Sequence, residues 1–548
     1  LILAMLVTAC AGALVSIAGP DPAPNVATGR KIAIASAAPE ASAAGIAAFD
    51  AGGNVVDAAV AVTFAISVAR PQSTGLGGGG FFLVRDARSG EVEALDAREV
   101  APRSATRDMY ASASSLDGPL AVAVPGLVAG VLDLHARRGS LPLAKLLAPA
   151  IALARDGLVV SHGLASACAD RKAVLARDPA AARIFLPGGE PLKAGDRLVQ
   201  EDLARTLEAI VAHGRAAFAE GPIADAIVAA TEKRVTLEDL RAFAPKRREP
   251  IRGTYRGREI VSFPPPSSGG VLLVEMLDVL ELFPVASLTE ANRDHLLIEV
   301  MRRAYRDRAE FLGDPDFVAV PVRGLTSRAY AKELAKTIDE GKATPSAPLK
   351  PGPAREHDHT THFSIVDGEG NAVASTQTIN YSLGSCVVAP GTGVVLNDEM
   401  DDFAARPGEP NAYGLVGGDA NAVAPGKRPL SSMTPTFVLE GKELTLAVGS
   451  PGGSRIITAV LETIVNRIDL GFAPELAVAA PRIHHQWMPD EVRTEASVPE
   501  GVRHELARRG HKIAISGAGS DIQAVFRTAA RELTAVSDPR GEGRPAAR

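Results

Sequence analysis

The chain has 548 residues, 46% hydrophobic and 22% charged, with a formal net charge of -6. That composition is ordinary for a soluble globular protein, and the length fits several domains or one large sandwich. The acidic balance and the lack of any Lys/Arg-rich block leave no footprint for nucleic acid, and three scattered cysteines, Cys10, Cys168 and Cys386, exclude a disulfide framework and a cysteine zinc site.

The chain opens on an apolar segment, Leu1 to Gly19, that ends in small residues. It reads as the tail of a secretory signal. Val7-Thr8-Ala9-Cys10 has the form of a lipoprotein cleavage box, in which Cys10 becomes the lipidated first residue; cleavage after a small residue further on is the alternative. Either sends the protein across a membrane, so a periplasmic or secreted location is expected, with membrane attachment only through Cys10. No later apolar run reaches the ~20 residues of a spanning helix. Val55 to Val68 comes nearest, but it carries Asp57 and reads as a buried core helix.

Residues 20–29 are a Pro/Ala/Gly-rich leader. Ala38 to Asp50 predicts a small-residue helix stopped by Gly52-Gly53, and the apolar helix follows from near Asn54. Gly75 to Gly80 has the spacing of a dinucleotide fingerprint, but Phe81-Phe82-Leu83-Val84 reads as a strand where that motif demands a helix. A tight backbone passage is the better reading. A second alternating segment, Glu93 to Ala97, places Arg98 just past its end. Residues 120–250 alternate helix and loop without nameable chemistry. Phe263-Pro264-Pro265-Pro266-Ser267-Ser268-Gly269-Gly270 is a rigid turn into a helix from Val271 to Leu282. A long amphipathic helix from Ala291 carries Leu297, Val300, Met301, Ala304, Tyr305 and Leu312 at helical spacing, and Gly313 and Pro315 stop it. Residues 343–356 contain four prolines and read as an exposed linker, where a chain can be cut without unravelling a core.

After the linker, Thr360 to Val366 alternates as a strand, Asp367 to Asn371 is a turn, and Ala372 to Asn380 is strand-like again. A hairpin closing symmetrically on Glu369 pairs Val366 with Ala372 and Ser364 with Ala374, and brings Thr360 opposite Thr378. A threonine heading a strand is commonly no more than a β-branched strand start. It becomes a nucleophile when its own α-amine is freed as the base, and an internal threonine can make that cut by attacking the preceding carbonyl, here that of His359.

Leu396 to Asp402 is a dense acidic cluster, either a solvated face or a calcium loop lacking the required glycine. Pro407 to Gly418, with Tyr413 at its middle, suits a mobile lid. Gly449-Ser450-Pro451-Gly452-Gly453-Ser454 opens a helix, and amides there suit an oxyanion, a phosphate or a plain cap. His357, His359, His362, His484 and His485 invite a metal reading, but no ligand spacing is recognisable. The last nine residues read as a frayed tail.

Taken together, these segments resemble the γ-glutamyltransferase (γ-glutamyltranspeptidase) family of N-terminal nucleophile hydrolases, over nearly the whole chain after the leader. The likeness rests on Pro71-Gln72-Ser73 with the Gly77–Gly80 run, Asp96-Ala97-Arg98-Glu99, the 263–270 turn, Asp307-Arg308-Ala309-Glu310 and Gly313 to Phe317. It continues through the Thr360 segment, Asn397 to Asp402, Arg428 to Met433 and Gly449 to Arg455. It implies an α+β four-layer αββα sandwich made as one precursor, with residues 20–359 as large subunit and 360–548 as small subunit forming a single unit. It implies Thr360 as processing and catalytic nucleophile, Thr378 as its hydrogen-bond partner, and Gly452 and Gly453 as oxyanion donors. Arg98, Ser431 and Ser432 match the binders of a γ-glutamyl carboxylate. Asn380, Glu399 and Asp402 match those of its ammonium, and Tyr413 the lid. No cofactor is implied. The glutamyl group of glutathione or a similar compound passes to Thr360 and then to water, an amino acid or a peptide.

Glu399 stands where the family carries Gln or Glu. Leu383 stands where an aromatic is common, and Cys386 beside it is unusual; these bear on pocket shape and acceptor preference. One alternative is a glutaryl-cephalosporin acylase of the same fold, against which the ammonium set Asn380, Glu399 and Asp402 argues. Others are an unprocessed envelope lipoprotein that only binds glutathione, and a metal-dependent hydrolase.

Overall fold

The computed structural model describes residues 25–346, 360–406 and 408–548. The leader with Cys10, and His357 and His359 before the expected cut, lie outside the described residues. Among the described residues no helix is long and apolar enough to cross a membrane.

Two seven-stranded antiparallel sheets lie face to face. The first runs, in spatial order, Ala546–Ala547, Ile32–Ser36, Thr360–Asp367, Ala372–Thr378, Gly79–Arg85, Val92–Ala97 and Lys246–Arg248. The second runs Val26–Gly29, Leu533–Ser537, Gln523–Arg527, Glu443–Gly449, Thr436–Glu440, Arg258–Ser262 and Ile251–Tyr255. The period of two sorts their side chains. Phe81 and Leu83 enter the layer between the sheets, where Phe81 stacks on Phe263 with ring centroids 4.1 Å apart, while Phe82 and Val84 face the outer helices. Both faces are covered, so the strand reads as a continuous apolar run.

Helices Pro39–Asp50, Val55–Ala69 and Leu143–Asp156 pack outside the first sheet, and Gly269–Leu280, Glu290–Phe311 and Arg455–Ile468 outside the second. The expected αββα order is therefore the observed one. Val55–Ala69 is buried along its whole length. It keeps Asp57 because that carboxylate caps the Asn54 amide and accepts from Ser140 and Leu141, so the Asp57 charge is not buried without partners. Each sheet takes strands from both sides of residue 360. A cut there would leave two chains joined by shared hydrogen-bond ladders.

Two sequence expectations need correction. The C-terminal residues are no frayed tail: Ala546–Ala547 adds an edge strand to Ile32–Ser36, and the Arg548 carbonyl accepts from the amides of Arg30 and Lys31. The missing signal was the partner, an edge more than 500 positions away in sequence, as the Ser42 hydroxyl bonded to the Arg544 carbonyl illustrates (502 apart). The long helix Glu290–Phe311 buries much of its polar face as well, because Glu299, Arg302 and Arg303 pair with one another and with Asp490, Thr337 and Thr344.

Candidate active site

Thr360–Asp367 pairs with Ala372–Thr378 in the expected register, Thr360 opposite Thr378, Ser364 opposite Ala374 and Val366 opposite Ala372. Asp367 closes the turn, its Oδ1 accepting from the amides of Glu369, Gly370 and Asn371. The Thr360 and Thr378 hydroxyl oxygens lie 3.3 Å apart. The Thr378 oxygen also accepts the Asn380 amide at 2.8 Å, which orients it. The glycine run passes alongside, with Gly79 opposite Thr378. A Cβ on Gly78 would stand 2.1 Å from the Thr378 carbonyl oxygen, so only glycine allows this approach.

One pocket gathers Thr360, Thr378, Asn380, Arg98, Glu399, Asp402, Tyr413, Ser431, Ser432 and Gly453, with Leu415, Met433 and Ile456 as apolar wall. The acidic cluster is thus no solvated face: Asp398 and Glu399 are wholly buried. Arg98, also fully buried, donates to Glu399, to Asp402 Oδ2 at 2.5 Å and to the Pro429 carbonyl at 3.2 Å. The resemblance implied Arg98 for a substrate carboxylate and Glu399 with Asp402 for its ammonium; here they pair with each other. Buried charges must be neutralised, and in this structure they neutralise one another. An α-amino-acid head inserted between them exchanges those pairs for carboxylate–Arg98 and ammonium–carboxylate pairs.

Burial disfavours the Arg98 cation, but Glu399, Asp402 and Glu99 outweigh it and hold its pKa above the ordinary arginine value. Burial raises the Glu399 carboxyl well above its usual range against the pull of Arg98. Asn380 takes a left-handed φ of 70°, a conformation asparagine tolerates, and its side-chain amide donates to the Asp398 carbonyl at 3.0 Å.

Gly453 (φ 54°) and Gly452 (φ 126°) turn the chain into helix Arg455–Ile468. Among the described residues neither amide donates to a backbone carbonyl. Gly453 lines the pocket and Gly452 adjoins it without lining it. A Cβ on Gly453 would meet the Tyr413 ring at 2.4 Å. Tyr413 is buried, and its hydroxyl donates to the Asn380 carbonyl at 2.7 Å. The residue expected as a lid therefore packs over the Gly452-Gly453 turn.

Among the described residues, His362 does not converge with His484 and His485. His362, pushed down to about 3 by burial, gives its two ring nitrogens to Thr376 and Ser364. His484 contacts Thr458 and Gln486, and His485 contacts Asp490. Sequence reasoning overlooked His295, Glu299 and His511, a buried group whose ligand atoms lie within 4.8 Å of one another. None of the three lines the Thr360 pocket, and Arg303 and Arg302 already neutralise Glu299. Also overlooked was Glu99, fully buried beneath Arg98. Its carboxyl stands 3.8 Å from Arg98 Nη1 and faces Glu399 closely enough to share a proton. Burial, opposed by Arg98, lifts it to about 7. Its only sequence signal was adjacency to Arg98 at a strand end.

The chain matches the γ-glutamyltranspeptidase family over residues 41–548. It is 45% identical to a glutathione hydrolase proenzyme of Escherichia coli (strain K12), covering 96% of each chain. It is 40% identical to an acylase ACY 1 proenzyme of Pseudomonas sp. (strain SE83), covering 93% of this chain and 92% of the other. Among solved structures, a cephalosporin acylase from Bacillus halodurans superposes with a TM-score of 0.86 at 30% identity, covering 97% of this chain and 99% of its own. The likeness spans both sides of Thr360 and includes the strands, the acidic cluster and the glycine turn just described, so the chain belongs to the γ-glutamyltranspeptidase family.

Proposed function

We propose that Thr360 is the nucleophile of a self-processing γ-glutamyltransferase that is also a glutathione hydrolase, and that it acts first on its own chain. The observation that carries this is the Thr360–Thr378 pair, 3.3 Å apart, heading a buried strand in the same pocket as Arg98, Glu399 and Asp402. In the precursor the Thr360 hydroxyl attacks the carbonyl of His359. The peptide becomes an ester, and its hydrolysis frees the Thr360 amine, leaving residues 20–359 and 360–548 as interleaved subunits. In turnover that amine takes the hydroxyl proton as Thr360 attacks the γ-carbonyl of the donor. The amides of Gly452 and Gly453 stabilise the oxyanion. The leaving amine departs with a proton, and water or an amino-acid or peptide amine resolves the ester.

Specificity follows from charge. Arg98, Ser431 and Ser432 take the donor's α-carboxylate, a geometry that suits a guanidinium fork, and Asn380, Glu399 and Asp402 take its ammonium. The acylase relatives favour a second reading, release of a glutaryl side chain. A glutaryl group lacks the ammonium, and binding it would leave the acidic set facing a pocket without its counter-charge. The leader, outside the described residues, supports an exported enzyme, with Cys10 as lipid anchor if cleavage falls there.

The test is intact mass and N-terminal sequencing of wild type and Thr360→Ala, then rates on γ-glutamyl and glutaryl anilides. The reading expects two wild-type chains, the smaller starting Thr-Thr-His-Phe, an uncut variant, and preference for the γ-glutamyl anilide. A single uncut wild-type chain, or preference for the glutaryl anilide, overturns it.

A further inference from the structure

Helix Glu290–Phe311 sends Tyr305 and Arg308, one turn apart on one face, toward the pocket. The Tyr305 hydroxyl donates to the Ser454 carbonyl, next to Gly453. Arg308 is 5% exposed, yet its bonded partners among the described residues are two serine hydroxyls and no carboxylate. Its Nε donates to Ser268 Oγ at 3.0 Å and its Nη2 to Ser432 Oγ at 3.4 Å. Burial pulls this cation below the ordinary arginine range, and Asp402 and Arg98 are near enough for it to feel their charges. A buried guanidinium without a counter-ion is costly, and the Thr360 mechanism gives it no task.

The hydrogen-bond directions supply one. Ser268 donates its own hydrogen to the Ser431 carbonyl at 2.8 Å, so its oxygen is what Arg308 engages. A guanidinium only donates, so Ser432 must accept from Arg308, which leaves the Ser432 O–H to be given away. Ser431 Oγ likewise accepts the Met433 amide at 3.1 Å and keeps its hydrogen for a partner. Both hydroxyls line the pocket. Two O–H donors with occupied acceptor sides, backed by an unpaired buried cation, form an anion site.

We infer that Arg308 is a positioning residue for the donor's α-carboxylate: it turns the Ser432 hydroxyl outward as a donor and lends its charge to the carboxylate end of the pocket. This rests on the γ-glutamyl reading above, and the test separates the two. Mature wild type, Arg308→Gln and Arg308→Lys are compared on γ-glutamyl anilide and on 4-aminobutyryl anilide, which differs only by lacking the α-carboxylate. Arg308→Gln is expected to raise KM for the γ-glutamyl anilide about tenfold or more with kcat within a few-fold, the size of one charged hydrogen bond. On 4-aminobutyryl anilide its kcat/KM stays within about twofold of wild type. Arg308→Lys, which keeps charge without the fork, lies between and serves if the glutamine variant does not fold. Equal losses on both substrates, or no loss on the γ-glutamyl anilide, overturn the role of Arg308. A wild type inactive on the γ-glutamyl anilide overturns the functional reading, and this inference with it.

Discussion

A threonine hydroxyl gains no acidity from a second hydroxyl; what Thr378 supplies is orientation. Its oxygen is fixed by the Asn380 amide and stands 3.3 Å from Thr360 Oγ1. Thr378→Val keeps shape and removes that contact, so precursor cleavage is expected to slow by about tenfold to a hundredfold, the worth of one or two buried hydrogen bonds. Thr378→Ser should retain most of the rate. A gel time course of precursor conversion checks this, and equal rates for Val and Ser would remove Thr378 from the mechanism. The carboxyls at the other end of the pocket divide by environment. Burial raises Glu399, which faces Glu99, itself lifted to about 7, so the pair holds a proton near neutral pH and Glu399→Gln is close to a change the protein already makes. Asp402 remains part-exposed and accepts a direct bond from Arg98 at 2.5 Å. Glu399→Gln should therefore raise donor KM by no more than about threefold and Asp402→Asn by about tenfold or more. The reverse order would show that Glu399 carries the charge.

The glycine run beside the Thr360 hairpin is an element whose purpose is distance. Gly78→Ala would drive a Cβ to 2.1 Å from the Thr378 carbonyl oxygen, which is backbone and cannot swing aside. The shift would move Thr378 away from Thr360, costing about 1–3 kcal/mol of stability as an overpacked site does and slowing self-cleavage. Thermal denaturation and the conversion time course should change together. A destabilised variant that still cuts at the wild-type rate would uncouple the glycine passage from the site. The hairpin was legible in the sequence because it is local: the turn, the alternation and one register choice decide where Thr360 and Thr378 meet. The turn Gly452-Gly453 was legible as the punctuation before the helix that starts at Arg455. Arg98 was found by resemblance, but its pairing with Glu399 and Asp402 was not. That contact joins residues 301 and 304 positions apart, beyond the reach of any local pattern. Glu99, the His295–His511 contact and the C-terminal edge strand stayed hidden for the same reason, since periodicity reports which face is buried and not what is buried against it.

Because both sheets draw strands from each side of residue 360, the cleaved molecule should unfold as one body, and its pH dependence should reflect buried groups from both halves. Burial raises Asp294 to about 7, Glu462 to about 8 and Glu275 well above the carboxylate range. A carboxyl whose folded pKa is raised contributes fully below its unfolded pKa, near 4, and loses that stability as pH rises toward the folded value. The buried histidines act in the opposite sense. His362 and His511 are pushed down to about 3 and His485 to about 4, so they cost stability as pH falls below about 6.5, where the unfolded chain takes up protons. Between about pH 4 and 6.5 the two sets oppose each other. Above about 6.5 the unfolded histidines shed only their remaining protons, a change of a few tenths of a kcal/mol each, and the carboxyls dominate. Stability should therefore fall from pH 6.5 to 8, by about 2 kcal/mol from Glu462 alone, at 1.36 kcal/mol for each pH step. Glu462 sits fully buried on helix Arg455–Ile468 and accepts the Ile483 amide at 2.9 Å. Glu462→Gln keeps an acceptor there and removes the titration, so its melting temperature should change less over that interval than the wild type's. A wild-type melting temperature that rises from pH 6.5 to 8, or a Glu462→Gln variant with the same slope, would mean that this carboxyl is already ionised in the folded protein and that Arg482, its nearest opposite charge, neutralises it.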